Sequence, residues 1–240
     1  MKNQYLSDYV ADNLRACQLK QLSILKEVDR ICRKHKLSYW LDGGTLLGAM
    51  RHGGFIPWDD DIDIGMTLED MQAFMKVAPS ELPRHHCSCK PRKVTLPAKS
   101  PIVKIRDLNS IYIEAGDTFS VEYQKGLYVD IFPFIDYPTV PRPWAKKLCK
   151  GISVSYSILH AQHYYSLRSF AEFFYFGMKY ALFKGIWAML CLVRPKGTYL
   201  SNILINNGYG IMHRKDSVFP LSTITFEGKI SRHRAMWTPI

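Results

Sequence analysis

The 240-residue chain reads as an α/β protein: a small mixed sheet with helices packed on it, followed by a basic helical extension. Three observations lead there. Asp61-Ile62-Asp63-Ile64 alternates acid and isoleucine, the period of a strand with one buried face. From Ser7 to Lys36, Leu14, Cys17, Ile24, Val28 and Ile31 recur at spacings of three, four and seven, the period of an amphipathic helix. Past Pro141 and Pro143 the pattern switches to helices, expected over Trp144–Tyr165, Phe170–Val193 and Tyr199–Asn206. With 47% hydrophobic residues the length suits one substantial core, so a single domain is expected, residues 1–140 forming its core and 141–240 the extension.

The first helix should pack on the back of the sheet. Tyr39-Trp40-Leu41 then forms a short strand running into Gly43-Gly44-Thr45, and Leu46, Leu47, Ala49 and Met50 continue as a helix. Backbone N–H groups at a glycine turn that opens a helix suit a phosphate. Arg51 and His52 at the helix end either reach a nucleotide phosphate or answer the helix dipole, and both readings stay open. Gly53-Gly54 and Pro57 make a loop delivering Asp59 to Asp63. On a strand the Asp61 and Asp63 carboxylates share one face roughly 6 to 7 Å apart. They repel unless a cation lies between them, and Mg²⁺ or Mn²⁺ is the expected cofactor. A phosphate-cradling turn followed by such a pair within about twenty residues suits phosphoryl or nucleotidyl transfer.

Thr67 is placed to cap a helix over Leu68 to about Val77, with Glu69 and Asp70 in its first turn. Arg84 to Arg106 carries seven Lys/Arg and no acid; it reads as a loop ending in a strand at Ile102–Arg106. His85, His86, Cys87 and Cys89 fit no common zinc spacing and read as loop residues. Lys104 and Arg106 project from one strand face, either as a diphosphate clamp or as a solvated edge. Asn109-Ser110 should turn the chain into a hairpin strand at Ile111–Glu114. In the apolar strand Gly126–Phe134, Asp130 is costly to bury unless paired or metal-bound. It is assigned as the third acid of the cluster, with a strand-end cap as the alternative and Asp136 as a weaker candidate for the same role.

These residues carry a resemblance. WLDGGTLLGAMRHGGFIPWDDDIDIGM (Trp40–Met66) resembles the core motif of the LicD family, phosphocholine transferases of bacterial surface polysaccharides, to which the fukutin-related proteins of animals are similar. The KIRD segment at Lys104–Asp107, the VDIFP segment at Val129–Pro133, and Phe219-Pro220-Leu221 and Phe226-Glu227-Gly228 also look like family elements. Ile230–Ile240 departs from the family's tail, which implies a truncated or divergent end.

The resemblance implies a nucleotidyltransferase-like fold and a transferase using a CDP-linked alcohol, foremost CDP-choline, with CMP as leaving group. The acceptor would be a sugar hydroxyl of a cell-surface glycan (lipopolysaccharide, teichoic acid or capsule) or its lipid-linked precursor. Asp61, Asp63 and Asp130 would be catalytic, Asp61 and Asp63 holding the metal and Asp130 either completing the metal site or accepting the acceptor hydroxyl's proton, and Gly43, Gly44 and Thr45 would cradle phosphate. Lys104, Arg106 or Arg51 would neutralise developing charge, while Trp40, Trp58 or Tyr128 would stack on the base or meet the choline ammonium. Two rivals share the sequence features: an NTP-using nucleotidyltransferase, and a non-catalytic module binding membrane or nucleic acid.

Net charge is +11, and between Tyr137 and Lys215 eleven Lys/Arg face a single acid, Glu172. Aromatic and aliphatic residues woven through that stretch favour peripheral membrane contact over nucleic acid, which is not expected as a partner. Glu172, Lys179 and Lys184 argue against a spanning helix at Phe170–Val193, leaving an interfacial helix or a core helix. The amino-terminal residues show no export-signal pattern and the six cysteines are scattered. The expected location is therefore cytoplasmic, peripheral at the inner face of the cell membrane, with reduced thiols.

Overall fold

A computed structural model describes residues 4–83, 87–89, 102–113, 125–160 and 166–233, and the chain divides into two units. One unit holds Met1–Pro133 with Leu221–Arg234; the other holds Phe134–Pro220 with Ala235–Ile240.

The first unit opens with α1 (Gln4–His35), which buries Leu22, Leu25, Val28 and Cys32 along one stripe, as the periodicity predicts. Then come β1 (Tyr39–Leu41), α2 (Gly43–His52), β2 (Asp63–Thr67), α3 (Leu68–Glu81), β3 (Cys87–Cys89), β4 (Val103–Asp107) and β5 (Tyr128–Pro138), whose first half belongs here. The strands line up in the order β1-β2-β5-β4-β3. This order sets β2 beside β5, and the Asp130 amide donates to the Ile62 carbonyl at 2.9 Å. Acids 67 positions apart in the chain thus stand on adjacent strands.

Alternation decides the faces. Ile62 and Ile64 are fully buried, as are Ile105, Val129 and Ile131, so these side chains build the core. Lys104 lies opposite Asp130 and Arg106 opposite Tyr128 in the β4–β5 register, which puts all four on the other face. Asp107, on the core face, is 1% exposed with Lys20 Nζ of α1 at 3.2 Å, an ion pair that ties α1 to β4. Thr67 caps α3 by accepting from the Asp70 amide at 3.1 Å. The helix outruns the predicted end at Val77, running to Glu81 with Pro79 inside it.

Two segments take a different form from the one expected. Ile111–Ile113 is not a strand, because β4 is already paired on one edge by β3 and on the other by β5. Tyr199–Asn206 is not a helix: Lys196–Asn202 forms β6, pairing antiparallel with the second half of β5 (Ile135↔Ser201, Tyr137↔Tyr199). A strand edge needing hydrogen bonds overrides the local helical pattern there. Cys87 and Cys89 fall on β3 rather than a loop, whereas His85, His86, Glu114 and the tail after His233 lie outside the described residues.

The second unit comprises the rest of β5, α4 (Arg142–His160), α5 (Leu167–Val193), β6, β7 (His213–Arg214) and a 3-10 turn at Lys215–Ser217. Its core gathers Tyr137, Leu148, Cys149, Ile152 and Trp187, with the Tyr137 and Trp187 rings edge-on at 4.7 Å. Asp136 pairs with Lys215 at 2.9 Å. Gly151 lets α4 approach α5, since a Cβ there would come within 1.9 Å of the Phe183 ring. Trp187, 7% exposed, is the one buried residue of α5, so one stripe of this helix joins the core and most of its surface does not. Finally β8 (Ser222–Phe226) and β9 (Lys229–His233) form a hairpin of the first unit, with β9 beside β1 and β8 beside α2.

Candidate active site

The acids gather where α2 begins. Gly43 has φ +51°, and a Cβ on it would stand 3.4 Å from Asp63 Oδ2; a Cβ on Gly44 would stand 2.8 Å from Asp59 Oδ2. Glycine is needed because the carboxylates lie directly over the turn. The positive end of the α2 dipole is thereby turned on them. Thr45, buried at 2% exposure, accepts a hydrogen bond from the Asp63 amide at 2.8 Å, so its hydroxyl fixes the start of β2. Asp42 closes the arrangement, its amide donating to the Asp63 carbonyl at 3.0 Å. Gly44→Ala should displace Asp59 and lower turnover roughly tenfold with an unchanged circular dichroism spectrum; steady-state kinetics checks it.

Asp59, Asp60 and Asp61 bring one carboxylate oxygen each to within 4.8 Å of one another. Burial, then the neighbouring Asp60, pushes the Asp59 carboxyl up; burial, then Asp59 and Asp60, pushes Asp61 up, with Lys104 opposing. Asp63 is raised most, to about 8, by burial first and then by the charges of Asp61, Asp130, Asp42 and Asp59. Asp63 therefore feels both Asp61, just ahead of β2, and Asp130 on the neighbouring β5. Lys104 Nζ contacts Asp130 Oδ2 at 3.0 Å and stands 3.4 Å from the centre of the Tyr128 ring. Such crowding of hard oxygen donors is a cost to the fold on its own, and it fits a divalent cation such as Mg²⁺.

The other predicted site residues are distributed unevenly. Arg106 sits 4.7 Å from the Tyr128 ring centre and donates to the Gly126 carbonyl at 2.9 Å, so its guanidinium bridges strand and loop. Tyr128, 6% exposed, lies beneath these two cations, and Trp40 is fully buried where a Cβ on Gly65 would meet its indole at 2.4 Å. Trp58 is 77% exposed next to Asp59, so of the three aromatic candidates it is the one presented to solvent. Arg51 is exposed at the opposite end of α2, about 12 Å along the helix axis from Gly43. The structure does not bring it to the acids.

Sequence reasoning missed four supports. Gln18 Nε2 donates to the Asp59 carbonyl at 2.8 Å and Gln21 Nε2 to the Asp60 carbonyl at 2.7 Å, so α1 holds the acidic loop by its backbone. Their signal was available: two amides at core-facing positions of an apolar stripe. Tyr112 donates its hydroxyl to Asp60 Oδ2 and meets Tyr128 edge-on at 5.9 Å. Glu227, in the β8–β9 turn with φ 51°, accepts from the Phe55 amide at 3.2 Å and from Arg15 Nη2 and Nη1, at 2.6 and 3.1 Å. The Phe226-Glu227-Gly228 segment is thus a clamp on the loop that carries the aspartates. Glu227→Ala should lower kcat about tenfold with little change in KM, and Glu227→Gln should recover part of it; the kcat and KM split is the readout.

The family model for the LicD/FKTN/FKRP nucleotidyltransferase domain matches residues 36–191, from the end of α1 into α5. The chain belongs to the LicD/FKTN/FKRP family. It is 36% identical over 129 residues to the lipopolysaccharide cholinephosphotransferase LicD of Haemophilus influenzae, covering 54% of this chain and 47% of that protein. The ribitol 5-phosphate transferase FKRP of human is 36% identical over 102 residues, covering 42% of this chain and 17% of that protein. An uncharacterised protein of Rickettsia typhi is 42% identical over 77 residues, 31% of this chain and 25% of its own length. The chain spans about half or less of the length of these relatives.

Proposed function

We propose that this LicD-family chain is a metal-dependent transferase moving phosphocholine, or a related phospho-alcohol, from a CDP-linked donor to a sugar hydroxyl of a cell-surface glycan or its lipid-linked precursor. The observation that carries the reading is the meeting of Asp61 and Asp63 with Asp130 beside Lys104 at the start of α2, in a family whose named relatives transfer phosphocholine and ribitol phosphate.

Asp59, Asp61 and Asp63 would hold a divalent cation, Mg²⁺ or Mn²⁺. When bound it supplies charge neutralisation on the donor's diphosphate oxygens. Asp130, oriented by Lys104, accepts the proton of the incoming sugar hydroxyl. As that oxygen bonds to the phosphorus bearing the alcohol, the bond from this phosphorus to the CMP phosphate oxygen breaks and CMP leaves with the electron pair. Lys104 offsets charge developing on the transferred group. The Gly43–Thr45 turn that opens α2 would cradle donor phosphate oxygens, and Trp58 offers an exposed ring to a quaternary ammonium. The location proposed with this reading is the cytoplasmic face of the cell membrane, and the long, mostly exposed apolar helix α5 supports it.

Both the choline and the ribitol relatives are 36% identical, so the alcohol is decided by assay. Purified protein with Mg²⁺ is incubated with CDP-choline, CDP-ribitol or NTPs and a glycan acceptor, and CMP release is followed. Release from a CDP-alcohol is the expected result. Product formed from NTPs alone would assign a nucleotidyltransferase instead.

A further inference from the structure

We infer that the outer face of α5 is an in-plane docking surface for an anionic lipid bilayer, and that the groove between α4 and α5 takes the phosphate of a lipid headgroup. The inference rests on the membrane location proposed above but not on the donor chemistry, and its test needs no turnover.

The helix is 27 residues long, about 40 Å at 1.5 Å per residue, and among the described residues it is the one long and apolar enough to cross a membrane. Only 6% of its most apolar window is buried. Tyr180, Phe183, Trp187 and Leu190 form one stripe that packs into the second unit's core. The opposite side presents Phe170, Phe174, Met178, Leu182, Met189 and Leu192, each more than half exposed. At about 100° per residue no charged side chain falls on that side. Arg168 and Glu172 pair with each other near the amino-terminal end, and Lys179 and Lys184 lie on the flanks, each within 6 Å of aromatic ring centres. An uncharged outer face with Lys179 on one flank and Lys184 on the other is the pattern of a helix lying in the headgroup plane. One side fixed to a folded core and two mid-helix lysines exclude a spanning orientation.

The charge selects the occupant. Lys147 and Lys150 of α4 and Lys179 of α5 converge on an open groove of about 280 Å³ floored by Gly151, Val154 and Phe183. Three ammonium groups above an apolar floor match a phosphate with acyl chains behind it. A second copy of the same surface would set these cations against one another, so self-association is disfavoured.

The test is sedimentation of the full chain with vesicles of phosphatidylcholine alone or with about one-third phosphatidylglycerol. Binding should be at least about tenfold tighter to the anionic vesicles and should weaken with salt. Lys147→Ala with Lys150→Ala should weaken it roughly fivefold per lysine. Phe174→Gln with Leu182→Gln should abolish it while the circular dichroism spectrum is kept, since both side chains are exposed. The milder Met178→Gln should weaken binding in the same direction. Equal binding to both vesicle types, or face variants that bind like the parent, would overturn the inference. So would a dimer dispersed by Phe174→Gln and Leu182→Gln in a protein that ignores vesicles.

Discussion

Asp63→Asn is expected to cut transfer by about a thousandfold while stabilising the metal-free fold. The two effects have opposite signs for one reason. Burial leaves the charge of Asp63 poorly solvated, and Asp61, Asp130, Asp42 and Asp59 add their repulsion. The amide isostere keeps the shape and leaves the backbone bond to Thr45 in place, but it removes the charge. The loss of charge relieves the fold by something on the order of 3 kcal/mol at pH 8.5, after allowing for partial exposure. The same loss removes a cation ligand. Turnover with a CDP-alcohol and thermal unfolding at pH 8.5 read the two effects separately. A residue that merely supported the fold would lower both.

The second large effect is a coupling of pH, cation and stability. Folded Asp63 titrates near 8, against an ordinary value of 3.8, so between those limits the folded chain holds a proton that the unfolded chain has lost. Stability from this group is therefore greatest below about pH 4, declines as pH rises, and reaches its floor above about pH 8. Divalent cation should reverse the decline, because the ion favours the ionised carboxylates and binds only the folded arrangement. Chelated protein should unfold at a lower temperature at pH 8.5 than at pH 6. Added Mg²⁺ should raise the unfolding temperature more at pH 8.5, where fewer protons have to be displaced. Equal cation effects at both pH values would show that Asp63 is not part of the site.

Much of this arrangement was legible in the sequence because it depends on period and on local turn chemistry. Ile62 and Ile64 bury as their alternation requires, with Asp63 opening β2 and Asp61 just ahead of the strand rather than in it. Asp130 was legible as a lone acid in an apolar strand. Strand order was not, and it is the β2–β5 adjacency that makes Asp130 a neighbour of Asp63. The misread segments fail for the same cause: Tyr199 sits in a strand because Tyr137 needs a partner, and Ile111 does not because β4 already has two. Tyr112 and Glu227 reach the acidic loop, and Arg15 reaches Glu227, across long sequence separations that no local pattern encodes. The length and apolar content of α5 were plain in the sequence. That its apolar face points outward was not, since exposure depends on what packs against the other side.

Calorimetric titration of Mg²⁺ into chelated protein at pH 7.5, in buffers of different ionisation enthalpy, tests the acid cluster most directly. Binding should occur with release of about one proton, and in Asp63→Asn the proton release should vanish and affinity should fall by at least about tenfold. Absence of binding to the parent chain, or the same affinity and proton release in Asp63→Asn, would contradict a cation site built on Asp63.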